Sequence, residues 1–235
     1  MRNFTDFHSH ILPGVDDGSK SVKESLELLR MEAEQGVRYV VATPHFYANH
    51  DTPARFLKRR AAAWERLQAA MAEEPDLPEI ILGAEVYYFP GMSDSDALSQ
   101  LTIGGKKFIM IEMPNMTWTE NMYQELENIY EKQGITPIIA HIDRYISPFR
   151  GREVLKRLEL LPVLVQVNGE FFLRPLTAPM AQRMLKKNRV HLLGSDCHDC
   201  SARKPNLGKA VRKIEKHLGT AALERIKKLE EKVLR

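Results

Sequence analysis

Two pairs of polar residues near opposite ends of the chain have the spacing of metal ligands. His8 and His10 lie two residues apart in DFHSH, and Asp196 and His198 have the same spacing in GSDCH. Side chains two residues apart on a strand point to the same face, with Cβ atoms roughly 6–7 Å apart. Each pair can therefore face one metal ion or two neighbouring ions. One such pair is weak support, since polar residues are common in loops, but two pairs favour a metal site.

More titratable residues end apolar runs in the middle of the chain. They are His45 after VVATP, Glu85 after IILGA, Glu112 after FIMI and His141 after PIIA. A lone glutamate at a strand end is more often a solvated boundary residue. In a barrel, however, the carboxyl ends of all parallel strands meet at one rim, where residues distant in sequence converge. The repeated pattern predicts such a rim.

Seven apolar, β-rich runs alternate with helical patterns along the chain. The predicted strands are Asn3–His10, Val37–Thr43, Ile80–Glu85, Phe108–Glu112, Thr136–His141, Val163–Val167 and Val190–Ser195. They recur about every 34 residues, close to the ~30 or more that one βαβ unit needs. Because the runs are continuously apolar, both faces of each strand should be covered. We expect one α/β domain over residues 1–235, with a parallel sheet or barrel.

Helix signals lie between these runs. Ser21 and Glu24 form a capping-box pattern, and Gly36 suits a left-handed end, which predicts a helix over Val22–Gln35. Two further amphipathic patterns predict a helix ending before Pro75 and a final helix. Their inward residues are Leu57, Ala61, Trp64, Leu67 and Met71 in the first, and Ala222, Ile226, Leu229 and Val233 in the second.

Composition excludes several classes of protein. The chain is 43% hydrophobic and 28% charged, with a formal net charge of +3, which argues against disorder and against a nucleic-acid partner. It lacks the long apolar stretch of a membrane span or signal peptide, so we expect a cytoplasmic protein without membrane insertion. Two cysteines cannot build a disulfide framework.

Those cysteines allow two other chemistries. Cys197 and Cys200 form a C-x-x-C pair, which redox proteins and zinc sites also use. CHDCSAR also meets the C-x5-R spacing of cysteine-dependent phosphatases, with Cys197 six residues before Arg203. The segment lacks the glycines that allow such a loop to wrap phosphate, so both alternatives are less favoured.

The motifs HSHILPGVDDGSK, TPH, GAEVYY, IEMP, AHIDRY and GSDCHD follow one another in an order that resembles the polymerase and histidinol phosphatase (PHP) superfamily of metal-dependent phosphoesterases. HILPGVDDG followed by AHIDRY more narrowly resembles the CpsB/CapC/YwqE-type bacterial protein-tyrosine phosphatases of exopolysaccharide operons. The resemblance spans positions 4 to about 206. It implies a distorted (β/α)7 TIM-like barrel with three divalent metal ions at its carboxyl rim, manganese being favoured over iron or zinc.

The resemblance also implies roles for individual residues. The implied metal ligands are His8, His10, Asp17, His45, Glu85, Glu112, His141, Asp196 and His198. Arg144 and Arg203 match the positions of arginines that bind the substrate phosphate. The branch often has alanine and asparagine where this chain has Cys197 and Asp199. We expect Asp16 to be a turn or supporting residue rather than a ligand, and Asp143 to orient the loop that carries Arg144.

This ligand set suits phosphate ester hydrolysis. Four carboxylates and three divalent ions leave a charge of about +2, which attracts a phosphate dianion, and such ions supply hydroxide by lowering the pKa of bound water toward ~7. Aromatic residues beyond the strand ends favour a phenyl phosphate; they are Phe46, Tyr47, Tyr87, Tyr88, Phe89, Trp118, Phe171 and Phe172.

We therefore expect a phosphotyrosine phosphatase that acts on the tail of a capsule or exopolysaccharide tyrosine kinase, and it could form a homo-oligomer. Two alternatives stay open from the sequence. One is a phosphatase for histidinol phosphate or another small phosphate ester, and the other is a non-catalytic, metal-binding partner of the kinase.

Overall fold

Parallel strands form the centre of the protein, and helices surround them. The computed structural model describes residues 3–147 and 151–235. Within those ranges the strands are β1 (Phe4–Ser9), β2 (Val37–Ala42), β3 (His45–Phe46), β4 (Glu79–Leu82), β5 (Glu85–Tyr87), β6 (Phe108–Glu112), β7 (Thr136–Ile139), β8 (Leu164–Asn168) and β9 (Leu192–Gly194). All their pairings are parallel, in the orders β1-β2-β4 and β3-β5-β6-β7-β8-β9.

One predicted strand is divided in two, and another is followed by a short strand that the sequence did not predict. The predicted strand Ile80–Glu85 is interrupted after Leu82 and resumes as β5 at Glu85, whereas the predicted strand Val37–Thr43 corresponds to β2, with β3 following after Pro44. Hydrogen bonds from the Gly83 amide to the Ala42 carbonyl and from the Glu85 amide to the Pro44 carbonyl continue the pairing across both breaks. The two strands therefore bend together, and their second halves join the larger sheet. The prediction of one unbroken strand over Ile80–Glu85 is wrong, because Gly83 and Ala84 separate β4 from β5. The predicted end at Thr43 agrees with the end of β2 to within one residue, and Pro44, which has no amide hydrogen for a ladder, separates β2 from β3.

The first and last strands join the two sheets. The Asp196 amide donates to the His8 carbonyl at 2.8 Å, and the His10 amide donates to the Cys197 carbonyl at 2.9 Å. Ser9 and Cys197 form an isolated parallel bridge. The strands thus curl into one barrel-like parallel assembly, which confirms the predicted α/β barrel class. The N-terminal and C-terminal pairs of predicted ligands consequently lie side by side.

The helices cover the outside of the curled sheet. They are α1 (Val22–Gln35), α2 (Pro53–Met71), α3 (Glu120–Gln133), α4 (Arg152–Leu158), α5 (Gly169–Leu173), α6 (Ala178–Lys186), α7 (Leu207–Leu218) and α8 (Thr220–Leu234). The prediction for α1 is confirmed at both ends, since Ser21 Oγ accepts from the Glu24 amide at 3.2 Å and Gly36 has φ of 89°. Among the described helices, none combines the length and apolar character that a membrane crossing requires.

The core lies between the sheet and these helices. It includes Leu28 and Leu29 of α1 and Leu67 of α2, all without solvent exposure. Burial of such side chains stabilises the fold by roughly 1.5–3 kcal/mol each. A second cluster joins residues from five strands, namely Phe7, Val41, Met110, Ile138 and Leu192. The carboxyl ends of the strands therefore lie next to a close-packed apolar cluster, which holds the polar side chains at the rim in fixed positions.

Candidate metal centre and active site

The nine predicted ligands lie at one rim of the curled sheet: His45 and Glu85 begin the short strands β3 and β5, and the other seven lie at the carboxyl ends of strands or in the loops that follow them. Three sets of donor atoms each lie within 4.8 Å of one another: one of His10, Asp17, His45 and His198, one of His8, His10 and Glu85, and one of His45, Glu85 and Glu112. His141 and Asp196 contact members of these sets. The structure therefore brings the nine side chains together, while their role as ligands stays a prediction.

Glu85 lies at the centre of the cluster. Its Oε2 is 3.0 Å from His8 Nε2, 3.2 Å from His10 Nε2 and 3.1 Å from His45 Nδ1. Its Oε1 is 2.7 Å from His141 Nε2. Donor atoms that share one first-row cation at about 2.1 Å lie roughly 3 Å apart when adjacent. The spacing around this carboxylate matches that requirement.

The second glutamate lies on the same side of the cluster. Glu112 Oε1 is 3.4 Å from His141 Nε2, and its Oε2 is 3.8 Å from His45 Nδ1. Glu85 and Glu112 are on neighbouring strands, because β5 pairs with β6. Both carboxylates can therefore contact cations held between them and the imidazoles.

Asp17 closes the open side of the cluster. Its Oδ1 lies 3.6 Å from His45 Nε2 and 3.5 Å from His198 Nε2, and 64% of its side chain is exposed. Asp16 plays a different part. It accepts hydrogen bonds from His10 Nδ1 at 2.7 Å and from the His45 amide at 2.9 Å, so it orients His10 with Nε2 toward Glu85. This matches the expectation that Asp16 supports the site.

Ionisation in the cluster follows from burial and close contact. Burial alone lowers the pKa of His10, but hydrogen bonds with Asp16, Asp196 and Glu85 outweigh it and raise the pKa well above its ordinary value. Burial likewise opposes charge on Glu85, yet the neighbouring histidines hold the pKa of this carboxyl well below its usual range. Hydrogen bonds with Glu112 and Glu85 likewise raise the pKa of His141 to about 9, whereas burial lowers the pKa of His45 and of His198. Protons on His10 and His141 thus balance the carboxylates, and bound cations would replace those protons.

The arrangement fits divalent cations. The described buried polar atoms that lack a hydrogen bond of good geometry include Glu85 Oε2, His45 Nδ1 and His198 Nε2, although the first two are only 3.1 Å apart. Unpaired buried polar atoms are costly and rare, so their occurrence within one cluster points to a ligand that contacts them together. Five imidazoles and four carboxylates without a thiolate suit Mn²⁺, Fe²⁺ or Zn²⁺.

Two amides on β8 contact the predicted ligands and were missed in the sequence. Gln166 Oε1 accepts from His8 Nδ1 at 3.3 Å and from the His141 amide at 2.5 Å. Asn168 Nδ2 donates to Asp196 Oδ2 at 3.1 Å. The contact at Nδ1 directs Nε2 of His8 toward Glu85 and the cluster, the orientation that a metal ligand requires. The signal was the spacing of two polar residues on one face of a buried strand, LVQVN.

A buried carboxylate fixes the junction of β1 and β9. Asp6 Oδ1 accepts from the His8 amide at 3.0 Å and from the Ser195 amide at 2.9 Å, and Asp6 Oδ2 accepts from Ser195 Oγ at 2.5 Å. Glu32 of α1 lies against Asp6, where burial and the charge of Asp6 raise its pKa well above the ordinary value. The hydrogen bonds of Asp6 therefore connect the two segments that carry the pairs of predicted ligands.

Two predicted ligands have unfavourable backbone conformations. His141 has a backbone φ of 30° and Asp196 has a backbone φ of 55°, and residues other than glycine rarely adopt positive φ. Each is held there by one amide hydrogen bond, from His141 to Gln166 and from Asp196 to the His8 carbonyl. Such strain is characteristic of functional positions, where the surrounding structure maintains it.

Both predicted phosphate-binding arginines lie beside the donor cluster. Arg144 Nη2 is 2.6 Å from Asp196 Oδ2 and its Nη1 is 3.1 Å from Glu112 Oε1. Arg203 Nη2 is 2.9 Å from Asp196 Oδ1. Asp143 accepts from the Asn168 amide at 2.9 Å, which fixes the turn that carries Arg144. Asp199 caps the loop before Arg203 by accepting from the amides of Ser201 and Ala202.

The geometry does not support Cys197 as a phosphatase nucleophile. Cys197 is fully buried, its Sγ is 4.0 Å from a Glu32 oxygen, and burial raises its pKa well above the ordinary value. A phosphatase nucleophile needs an accessible thiolate. Cys200 is partly buried, is also a free thiol, and its pKa is raised by burial.

The aromatic residues near the strand ends differ in burial. Phe46, Tyr88, Trp118, Phe171 and Phe172 are buried and pack in the core. Tyr47 and Tyr87 are half-buried, with ring centroids 5.5 Å apart, and Tyr47 lies 5.2 Å from His45. The Tyr47 ring therefore borders the donor cluster, and the Tyr87 ring packs against it. His50, His191 and His217 lie in a turn, beside β9 and on α7, respectively.

The curled parallel sheet and the cluster of imidazoles and carboxylates at its rim define the protein as a candidate metalloenzyme of the α/β barrel class. Residues 4–234 match the family described as capsular polysaccharide synthesis, CpsB/CapC. The chain belongs to this family.

Individual relatives match most of the chain. The tyrosine-protein phosphatase CpsB of Streptococcus agalactiae serotype III (strain NEM316) is 31% identical over 224 residues, covering 91% of this chain and 90% of that protein. The tyrosine-protein phosphatase YwqE of Bacillus subtilis (strain 168) is 28% identical, covering 92% and 85%. A crystal structure from work on YwqE and Streptococcus pneumoniae CpsB, described as metal-dependent tyrosine phosphatases, has a TM-score of 0.84 and 24% identity, covering 99% of this chain and 94% of that chain. This last likeness confirms the fold.

Proposed function

We propose that the protein is a metal-dependent phosphatase that hydrolyses phosphotyrosine. The single observation that carries the proposal is the convergence of nine oxygen and nitrogen donors with two arginines at one rim of the barrel. The activity of the relatives CpsB and YwqE, which are named tyrosine-protein phosphatases, supports the choice of substrate. We propose three divalent cations, with manganese preferred to iron or zinc.

The three donor sets would hold the cations. When bound, such cations polarise phosphoryl oxygens, activate water and neutralise developing negative charge. Glu85 lies in two of the sets, so it would be shared between sites. Asp16 and Gln166 orient the imidazoles of His10 and His8, which keeps the lone pairs of Nε2 directed into the cluster.

Arg144 and Arg203 would bind the phosphate of the substrate. Their guanidinium groups present planar pairs of donors that match phosphate oxygens. Both contact Asp196, so a phosphate bound there lies directly beside the donor cluster. The rings of Tyr47 and Tyr87 offer apolar area near His45 for the phenyl ring of the substrate.

The physiological substrate would be a phosphorylated protein of capsule or exopolysaccharide production. The family description refers to capsular polysaccharide synthesis, which supports this context. We propose the tail of a tyrosine kinase of capsule or exopolysaccharide production as the partner. A kinase tail phosphorylated on tyrosine would supply the aromatic phosphate ester that the site fits.

Relative turnover of three substrates tests the proposal. The protein, loaded separately with Mn²⁺, Fe²⁺ and Zn²⁺, should hydrolyse a phosphotyrosine peptide with at least tenfold higher kcat/KM than the matched phosphoserine peptide or histidinol phosphate. Protein stripped of metal serves as the control and should be inactive. A hundredfold preference for histidinol phosphate, or inactivity with every metal, would contradict the proposal.

A further inference from the structure

A cleft of about 530 Å³ opens beside the donor cluster on the side of Asp196. Arg144 and Arg203 line it where it meets the cluster, and Arg174 and Lys204 also line it. Neither Arg174 nor Lys204 contacts a predicted metal ligand among the described residues. The cleft therefore continues the phosphate site away from the metals.

The cleft is larger than one phosphate group needs. A water molecule occupies about 30 Å³ of liquid, so a phosphate group fills only a fraction of the volume. Clefts of roughly 300–1,000 Å³ accommodate ligands of many atoms. There is consequently room for a second group of the same substrate next to the phosphate held by Arg144 and Arg203.

The charges in the cleft favour an anion. Lys204 forms no ion pair within residues 3–147 and 151–235. Arg174 pairs only with Glu170, at 3.1 Å, and its side chain is 69% exposed. Exposed pairs of this type are weak, so the guanidinium can turn to another anion at little cost. The remaining carboxylates, Asp143 and Asp196, already accept hydrogen bonds from Asn168.

The walls of the cleft are largely fixed before any ligand arrives. Asp199 accepts from the amides of Ser201, Ala202 and Arg203, and the His198 amide donates to the Arg203 carbonyl. The loop that leads to Lys204 is therefore held in one conformation. On the opposite wall, the Arg174 amide donates to the Glu170 carbonyl at the end of α5.

We infer that this cleft binds a second anionic group of the substrate peptide, a carboxylate or another phosphate, adjacent to the phosphotyrosine, and that Arg174 and Lys204 select for it. The inference rests on the proposed function, because it assumes that the phosphate of phosphotyrosine occupies the position between Arg144 and Arg203. It assigns sequence preference to residues outside the donor cluster.

Binding of non-hydrolysable peptides tests the inference. Three peptides carry the same phosphonate analogue of phosphotyrosine, flanked on both sides by glutamine, by glutamate or by a second copy of the analogue. Their Kd values are measured by fluorescence anisotropy with the metal-loaded protein. At least one anionic peptide should bind about three- to tenfold more tightly than the glutamine peptide, and added salt should reduce the difference. Tighter binding of the glutamate peptide would identify a carboxylate as the preferred group, and tighter binding of the peptide with further copies of the analogue would identify a phosphate.

Variants locate the preference in the protein. In the double variant Arg174→Gln/Lys204→Gln, the ratio of the Kd values should fall close to one. The matched control Arg212→Gln/Lys228→Gln removes the same charges from exposed positions on α7 and α8, outside the cleft, and should keep the ratio. Equal Kd values for all peptides in the unchanged protein, or a preference that survives in the double variant, would overturn the inference.

Turnover of hydrolysable versions of the peptides separates this inference from the proposed function. Hydrolysis without any preference for anionic flanks contradicts the inference and leaves the phosphatase intact. A charge preference in binding, without hydrolysis under any metal, supports the cleft and contradicts the proposed activity. Failure of all peptides to bind contradicts both.

Discussion

The inner and outer regions of the candidate site differ in how firmly the fold fixes their side chains. The inner region consists of His8, His10, Glu85 and His141, whose side chains have at most 1% exposure. The outer region consists of Arg144 and Arg203, which are 41% and 40% exposed. Inner residues also form hydrogen bonds with supporting residues: His10 with Asp16, and His8 with Gln166.

This difference corresponds to two tasks. Cations require donors within a few tenths of an ångström of fixed positions, which buried and hydrogen-bonded side chains provide. A substrate must enter and leave, so the groups that meet it need access to solvent. Substitutions in the inner region should therefore change metal content, whereas substitutions in the outer region should change substrate affinity.

The largest effect is expected for Glu85→Gln. This change removes the carboxylate that lies within 3.2 Å of four imidazole nitrogens, and it should eliminate most bound metal and reduce kcat/KM by about 100- to 1,000-fold or more. Metal analysis of the purified protein and a phosphopeptide assay provide the measurement. Glu79→Gln on β4, which is exposed, is the control. Full metal content in Glu85→Gln would remove the distinction between the regions.

Removal of metal should also destabilise the protein. At a free cation concentration of about 100 times Kd, each occupied site adds about 2.7 kcal/mol to the free energy of unfolding. For a protein of this length, each kcal/mol changes Tm by about 2–4 °C. Excess EDTA should therefore lower Tm by roughly 5 °C or more in a thermal scan, with metal loss confirmed by elemental analysis. Tm of the Glu85→Gln variant should respond little to EDTA. An unchanged Tm in the metal-free parent protein would contradict a stabilising metal centre.

A smaller effect is expected at the support of the inner region. Gln166→Met keeps the volume of the side chain but removes the oxygen that accepts from His8 and His141. Metal affinity should fall about 10- to 100-fold, as is typical for loss of a group that orients a ligand. Chelator competition measures this affinity.

Two comparisons show whether Gln166 acts through the metal site. Gln166→Glu keeps an acceptor oxygen and should recover much of the affinity. Gln35→Met removes a glutamine that hydrogen-bonds the backbone of Met31, Pro205 and Gly208 but no predicted ligand, and it should lower stability alone. Equal metal affinity in Gln166→Met and Gln35→Met would limit Gln166 to a structural role.

In the outer region, Arg203→Lys should separate substrate binding from metal binding. Lysine keeps the positive charge but lacks the planar pair of donors, so KM for a phosphotyrosine peptide should rise about tenfold while metal content is unchanged. Steady-state kinetics with elemental analysis measure both quantities, and Arg212→Lys on α7 is the control. Loss of metal in Arg203→Lys would place this arginine in the inner region.

The sequence predicted the convergence of the donors better than the path of the strands. His8, Glu85 and Asp196 could be assigned to one rim because each follows an apolar run, and parallel strands end at the same edge. The short strand β3 after Pro44 and the break at Gly83 were missed, because two residues are too few for a strand pattern and an apolar run that stays buried on both sides of a bend looks continuous. Only the proline and the glycine marked those breaks.

The residues that orient the donor side chains were harder to predict than the donors themselves. Gln166 and Asn168 are neutral amides inside an apolar run, and such residues commonly satisfy ordinary backbone groups. Their importance depends on which side chains lie opposite them on β1, β7 and β9, and the sequence does not contain that information. Asp6 and Ser195 likewise meet only because the first and last strands are neighbours.

The smallest effect on the site is expected at Glu230, on α8 at the opposite end of β1. Burial raises its pKa to about 7, and hydrogen bonds from Thr5 only partly oppose this shift. Because the folded-state pKa exceeds the ordinary value of 4.5, the folded protein holds a proton that the unfolded chain releases. The contribution of Glu230 to stability is therefore greatest below pH 4.5 and is lost as pH rises through about 7.

Glu230→Gln keeps the hydrogen bonds and removes this ionisation. Above pH 8, the free energy of unfolding should rise by roughly 1–3 kcal/mol relative to the parent protein, and the gain should disappear near pH 4.5. Urea unfolding at several pH values provides the measurement, and Glu231→Gln, at an exposed neighbouring position, should show no such trend. Metal content should stay unchanged, because Glu230 lies on the far side of Asp6 from the donors; a loss of metal would show that this end of β1 is coupled to the inner region.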